Sequence, residues 1–158
     1  MTGVRVAFVD TYVLRPSGPP AVGFEVLALR RGRGGRCPGS WETVHGTIEL
    51  GETPVQASRR EMKEETGLEP ERLYNVSRVE AFYQHRTDEV ALIPAFAAFV
   101  AAGAAPRLSA EHDQFAWLPL ADASRQFAWP REHRAVADIL SILGGGDGGL
   151  LDDVLRVC

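Results

Sequence analysis

Thr53-Pro-Val-Gln-Ala-Ser-Arg-Arg-Glu-Met-Lys-Glu-Glu-Thr-Gly67 spells out both ends of a helix. A capping threonine, proline at the first helical position and glutamine at the third form a capping-box signature, and Gly67 supplies the stop. The spacing predicts a helix over 54–66. At about 100° per residue, Glu61, Glu64 and Glu65 share an arc of about 100°, and the small Ala57 one turn earlier leaves room beside them. Val55, Ser58, Met62 and Thr66 fill the adjoining arc, the face expected to pack on a sheet. Like charges at this spacing repel by a few tenths of a kcal/mol per pair in water, and by more where water is excluded. A hard divalent cation such as Mg²⁺ or Mn²⁺ turns that repulsion into binding. The plainer reading is a solvated acidic face interleaved with Arg59, Arg60 and Lys63.

Outward from this helix the chain reads mostly as strands. On the N-terminal side, Val4 to Leu14 is one β-branched and aromatic run, stopped by a breaker cluster from Pro16 to Pro20, and Phe24 to Leu29 is a second strand paired with it. Arg30 to Gly39 is a glycine-rich loop carrying four arginines, and Trp41 to Leu50 reads as strand and loop. On the C-terminal side, Val76 to Gln84 and Val90 to Ala101 are strands around a turn at Arg86 to Glu89. Pro94 predicts that the longer one is an edge strand or carries a bulge. Phe115 to Leu118 is a short strand, and Ala121 to Phe127 and Arg131 to Leu143 are helical. The pattern is α+β. Residues 1–143 form the domain, 144–149 a flexible glycine-rich linker, and 150–158 a tail that docks on the body or on a second copy in a homodimer.

Composition narrows the function. With 158 residues, 45% of them apolar, and a net charge of −4, the chain suits one folded domain and lacks the basic face that duplex nucleic acid requires. Lys63 is the one lysine among 17 basic residues, so anions fall to arginine. Arg30, Arg31, Arg33 and Arg36 are the candidate substrate-binding group, because guanidinium binds phosphate bidentately. Cys37 and Cys158 form no framework and read as free thiols in a cytoplasmic protein. No apolar run reaches the ~20 residues of a membrane helix.

The longer motif is more specific than the helix. Gly46-Thr-Ile-Glu-Leu-Gly-Glu52, seven further residues, then Arg60-Glu-Met-Lys-Glu-Glu-Thr-Gly-Leu68 resembles the Nudix hydrolase signature, with every fixed position filled. The resemblance implies a Nudix-type α/β/α sandwich with a mixed sheet, and metal-dependent hydrolysis of pyrophosphate bonds with Mg²⁺ as cofactor. It implies that Glu61, Glu64 and Glu65 carry the metal, with one of them serving as base, that Arg60 orients a neighbouring carboxylate, and that Glu52 supports the helix and loop. It also implies that Gly46 lets the backbone approach and that the carbonyl before it, on His45, is a further metal ligand. Many relatives carry glycine where His45 stands.

Leu108 to Leu118 and Trp129 to Val136 are similar, more loosely, to the dATP and dihydroneopterin triphosphate pyrophosphohydrolase branch. That likeness makes Glu111 the glutamate completing the metal site and a small nucleoside or pterin triphosphate the substrate. Nucleotide sugars, dinucleotides or an RNA 5′ end are the alternatives within the enzyme class; a noncatalytic nucleotide-binding module is the rival outside it. Trp41, Phe82, Tyr83 and Trp129 are candidates to stack on a ring, and His85, His112 and His133 to move protons.

Overall fold

The computed structural model describes residues 1–18 and 23–158, so Pro19 and Pro20 of the breaker cluster lie outside the described residues. Among the described residues eight strands form one mixed sheet: β1 (Gly3–Val6), β2 (Phe8–Pro16), β3 (Phe24–Arg31), β4 (Trp41–Glu42), β5 (Val44–Thr47), β6 (Arg72–Gln84), β7 (Glu89–Phe99) and β8 (His112–Pro119). The long β7 lies antiparallel to β6 on one side and parallel to β1 and then β2 on the other. β2 continues to β3, which β8 flanks. Helix α1 (Pro54–Thr66) covers one face and α2 (Pro130–Leu143) the other, which is the expected α/β/α sandwich.

Alternation along the strands builds both cores. Val9 and Val13 of β2 join Leu27, Leu29, Phe96 and Ala98 against Ala57 and Met62 of α1. Tyr12 and Leu14 join Val26, Ala28, Ala97 and Phe99 against Ala135, Val136 and Ile139 of α2. Helix α1 matches its predicted limits: Thr53 Oγ1 accepts from the Gln56 N–H, the Gln56 side chain accepts from the Thr53 N–H, and Gly67 ends it in the left-handed conformation at φ 70°.

Three expectations need correction. The first run is two strands, because the chain jogs at Ala7 as β7 exchanges β1 for β2 as its parallel neighbour. Pro94 sits in the interior of the sheet at that exchange. The irregularity is on the facing strand, where β6 inserts residues between Asn75 and Val79, opposite Phe96 and Pro94. Residues Leu120–Arg125 form a 3-10 turn.

The tail lies on its own body. Short helix α3 (Asp152–Leu155) buries Leu155, Tyr74 bridges Arg156, and the Leu73 carbonyl accepts from the Val157 N–H at 2.8 Å. The glycine-rich segment before it is tethered, since Arg72 donates to the Gly146 carbonyl at 2.6 Å and the Gly148 N–H donates to Asp152. No helix among the described residues is long and apolar enough to cross a membrane. Both cysteines are free and exposed.

Candidate active site

Strand β2 pairs with β3 only at its far end; its first residues pair with β5, and β4 pairs with the end of β3. The turn at Thr43 fills the gap, with its hydroxyl donating to the Thr11 carbonyl at 2.7 Å and its N–H to Glu132 at 2.7 Å. A cleft of about 900 Å³ opens beside this junction. One end of it is charged, with Arg31, Arg36, Glu42, Gly46, Glu61 and Glu111; the other is largely aromatic, with Phe8, His45, Phe82, Trp129 and Arg131.

At the charged end, Gly46 meets Glu61 so closely that a β-carbon added to it would stand 1.9 Å from Cδ of that carboxylate. Only glycine leaves room there. Arg60 then binds the motif together. It grips Glu52 with Nε and Nη2, both at 2.9 Å, donates to Glu61 at 2.7 Å and to Glu64 at 3.3 Å, and reaches the Thr47 carbonyl at 2.8 Å. Burial raises the Glu61 carboxyl above its ordinary range despite Arg60.

Glu65 is different. It is buried with the packing face of α1 and lies against the backbone of His45, and its Oε2 has no hydrogen-bond partner. Burial, with the negative charges of Glu61, Glu42 and Glu111, pushes its carboxyl up to about 9. Three acidic groups thus act on one carboxyl whose second oxygen has no partner. Among the described residues no three acidic, histidine or cysteine side chains stand closed around a metal position, since Arg60 holds Glu61 and Glu64. The orphaned Glu65 oxygen and the all-oxygen donors fit a hard divalent cation.

The predicted residues do not all converge. Glu61, Gly46, His45 and Glu111 line the cleft; buried Glu65 does not, and neither does Glu64, with 59% of its side chain exposed. Arg31 and Arg36 line the cleft. Arg30 is turned away, with Asp113 accepting from its Nε and Nη2 at 2.8 and 3.0 Å, and Arg33 lies on that side, close enough to lower the Asp113 carboxyl. Neighbours on a strand point to opposite faces, so Arg30 and Arg31 cannot share a site. Of the aromatic candidates Phe82 and Trp129 line the cleft; of the histidines, His85 does, while buried His112 bonds Glu42 at 3.0 Å and His133 bonds the Phe127 carbonyl.

Sequence reasoning missed Glu42, which accepts from Arg31 at 2.9 Å, and the set of Asp10, the His45 ring and Arg131. No motif connects these positions; only β-pairing and helix packing do.

A NUDIX domain model matches residues 6–139. The chain belongs to the Nudix family. Among curated proteins, it is 36% identical over 124 residues to an octanoyltransferase of Myxococcus xanthus, covering 73% of this chain and 31% of that protein. The chain thus spans about a third of the length of that relative. Solved structures of the same fold include a C. elegans Ap4A hydrolase (22% identity, TM-score 0.72, covering 89% of this chain and 99% of that one). The E. coli dihydroneopterin triphosphate pyrophosphohydrolase is another (22% identity, TM-score 0.67, covering 87% and 99%).

Proposed function

We propose that this Nudix pyrophosphohydrolase cleaves a pyrophosphate bond of a small nucleoside or pterin triphosphate by attack of water, with Mg²⁺ or Mn²⁺ as cofactor. The observation that carries the reading is Glu65: a buried carboxyl with an unpartnered oxygen, under the negative charge of Glu61, Glu42 and Glu111. A chain gains nothing in stability from such a nest, and a cation repays it.

Glu61, Glu65 and Glu111 would hold the metal with the His45 carbonyl, and Glu64 would join them from the flank. When bound, the metal neutralises phosphate oxygens and lowers the pKa of its water. Residues of the chain do the rest. Arg31 and Arg36 bind phosphate at the mouth, and Glu42 fixes Arg31 in place. Arg60 holds Glu52, Thr47 and Glu61 together, so that the loop at Gly46 keeps its distance from α1. Glu61 or Glu64 takes the proton of the attacking water. The rings of Phe82 and Trp129 receive the ring of the substrate at the other end.

A panel of nucleoside and pterin triphosphates, nucleotide sugars, dinucleotides and capped RNA, assayed for phosphate and pyrophosphate release with and without Mg²⁺ or Mn²⁺, tests this reading. Metal-dependent pyrophosphate release from a triphosphate is expected. Tight nucleotide binding with no hydrolysis across the panel would make the chain a binding module.

A further inference from the structure

His45, the motif's departure from glycine, leads to an arrangement that hydrolysis itself does not use. Successive residues of β5 face opposite sides of the sheet, so Gly46 meets Glu61 while the His45 ring passes to the other face. There it stands opposite Asp10, its register partner on β2. Asp10 is 2% exposed and receives three donors: His45 Nδ1 at 2.7 Å on Oδ1, Arg131 Nε at 2.7 Å on Oδ2, and Arg131 Nη2 at 3.3 Å on Oδ1. An ionised carboxylate only accepts, so Nδ1 carries a proton, and in the neutral ring Nε2 is then an acceptor. Neither Nε2 nor Arg131 Nη1 has a hydrogen-bond partner among the described residues, and both side chains line the cleft.

Aromatic surface surrounds this acceptor and donor. The Phe8 ring lies 5.1 Å from that of His45, Trp129 and Phe82 meet edge to face at 6.5 Å, and the Arg131 guanidinium stands 5.2 Å from the Trp129 ring. A flat ligand ring with an acceptor beside a donor on its edge matches these walls. Arg131 only donates, so the ring atom that meets it is an acceptor, and on a neutral ring a carbonyl oxygen is a strong one, as in the common pairing of arginine with the O6 edge of guanine.

We propose that His45 and Arg131, aligned by Asp10, form the ring-recognition subsite of the cleft and select a bicyclic ring with a lactam edge, its carbonyl accepting from Arg131 and its N–H donating to His45. This rests on the reading of the cleft as a nucleotide or pterin site. A 6-oxopurine and a 4-oxopteridine share that chemistry; adenine, without a carbonyl, does not.

Binding of monophosphates tests the subsite apart from hydrolysis. Guanosine monophosphate, dihydroneopterin monophosphate and adenosine monophosphate are titrated by calorimetry into the full chain with Mg²⁺. At least one of the two oxo rings is expected to bind about 10-fold or more tighter than adenosine monophosphate, the discrimination of one good bidentate pair. Their relative affinity says which ring is the natural one. In His45→Leu that preference collapses, in His45→Gln, which keeps an acceptor, most of it returns, and in Arg131→Lys, which keeps the charge on Asp10, it falls several-fold. Adenosine monophosphate binding as tightly as both oxo rings, no binding of any of the three, or a preference unchanged in His45→Leu and Arg131→Lys overturns the proposal. Hydrolysis of triphosphates without ring preference sinks this subsite alone, and ring-selective binding without hydrolysis sinks the catalytic reading alone.

Discussion

Asp10 and Glu65 are both buried carboxylates, 2% and 4% exposed, on opposite faces of one sheet. Burial works against the ionised form of each. Around Asp10, hydrogen bonds from His45 and the charge of Arg131 overcome it and hold the carboxyl below its ordinary range. Around Glu65, the neighbours Glu61, Glu42 and Glu111 add to it. One face closes its electrostatics with its own guanidinium; the other leaves a negative deficit for something outside the chain to fill. Charge removal should therefore have different effects on the two faces.

The largest effect is expected at Glu65. Glu65→Gln keeps the shape and removes the charge, so metal affinity is lost and turnover falls on the order of 10³-fold, the several kcal/mol a bound metal supplies. Metal-free thermal stability at neutral pH should hold, because a carboxyl pushed up to about 9 is protonated there and glutamine replaces a neutral group with a neutral one. Turnover near wild type would remove Glu65 from the site. On the other face Asp10→Ala leaves Arg131, whose side chain is 13% exposed, as a buried unpaired charge, and a loss of about 3–5 kcal/mol is expected in denaturant unfolding. A loss below about 1 kcal/mol would mean that water already pairs Arg131.

Gly46→Ala comes next. Its β-carbon cannot coexist with the observed Glu61 carboxylate, and overpacking of this kind costs about 1–3 kcal/mol. Because Glu61 moves instead of the backbone, activity should fall far more than stability. Unchanged kcat would show that Glu61 has a second competent position.

What was legible in advance follows from the range of each interaction. Helix α1, its caps and the facing of Met62 depend on residues within four positions of one another, and the sequence states them directly. Gly46 and Glu61 are 15 apart, but the motif spacing already joined them. Asp10 and Arg131 are 121 apart, joined only by a strand register and a helix packing angle, which no local pattern encodes. Pro94 was misplaced for a related reason: a missing N–H disqualifies a residue from a regular ladder, but not from the point where a strand changes neighbours.

Glu132 offers a smaller pH effect. Burial, with the charge of Asp10 nearby, pushes its carboxyl up to about 8, although the backbone N–H groups of Thr43 and Trp129 donate to it. The folded chain then binds a proton that the unfolded chain has released, so this group's contribution is complete below the ordinary glutamate value and is lost as pH rises towards 8. Melting temperature, followed in metal-free buffer from pH 5 to 8, should fall by at least a few degrees, about 2–4 °C for each kcal/mol. In Glu132→Gln the slope should flatten. Because Glu65 contributes a slope of the same sign, only the difference between wild type and variant isolates Glu132.

The smallest expected effect also separates the faces most cleanly. Arg30 and Arg31 are adjacent, equally charged and both paired with a carboxylate, Asp113 and Glu42 respectively. They differ in the side of the strand they leave from. Removing the Arg31 guanidinium as Arg31→Gln should raise KM for a triphosphate about 10-fold, the worth of one charge-assisted contact, with kcat nearly unchanged. Arg30→Gln should leave both constants where they are, because an exposed ion pair contributes little to stability and this one points away from the cleft. If the two variants behaved alike, the loop would act through its summed charge, steering anions from a distance, and 0.5 M salt would then abolish the difference between either variant and wild type. A salt-resistant effect confined to Arg31 would instead mark a phosphate contact inside the cleft.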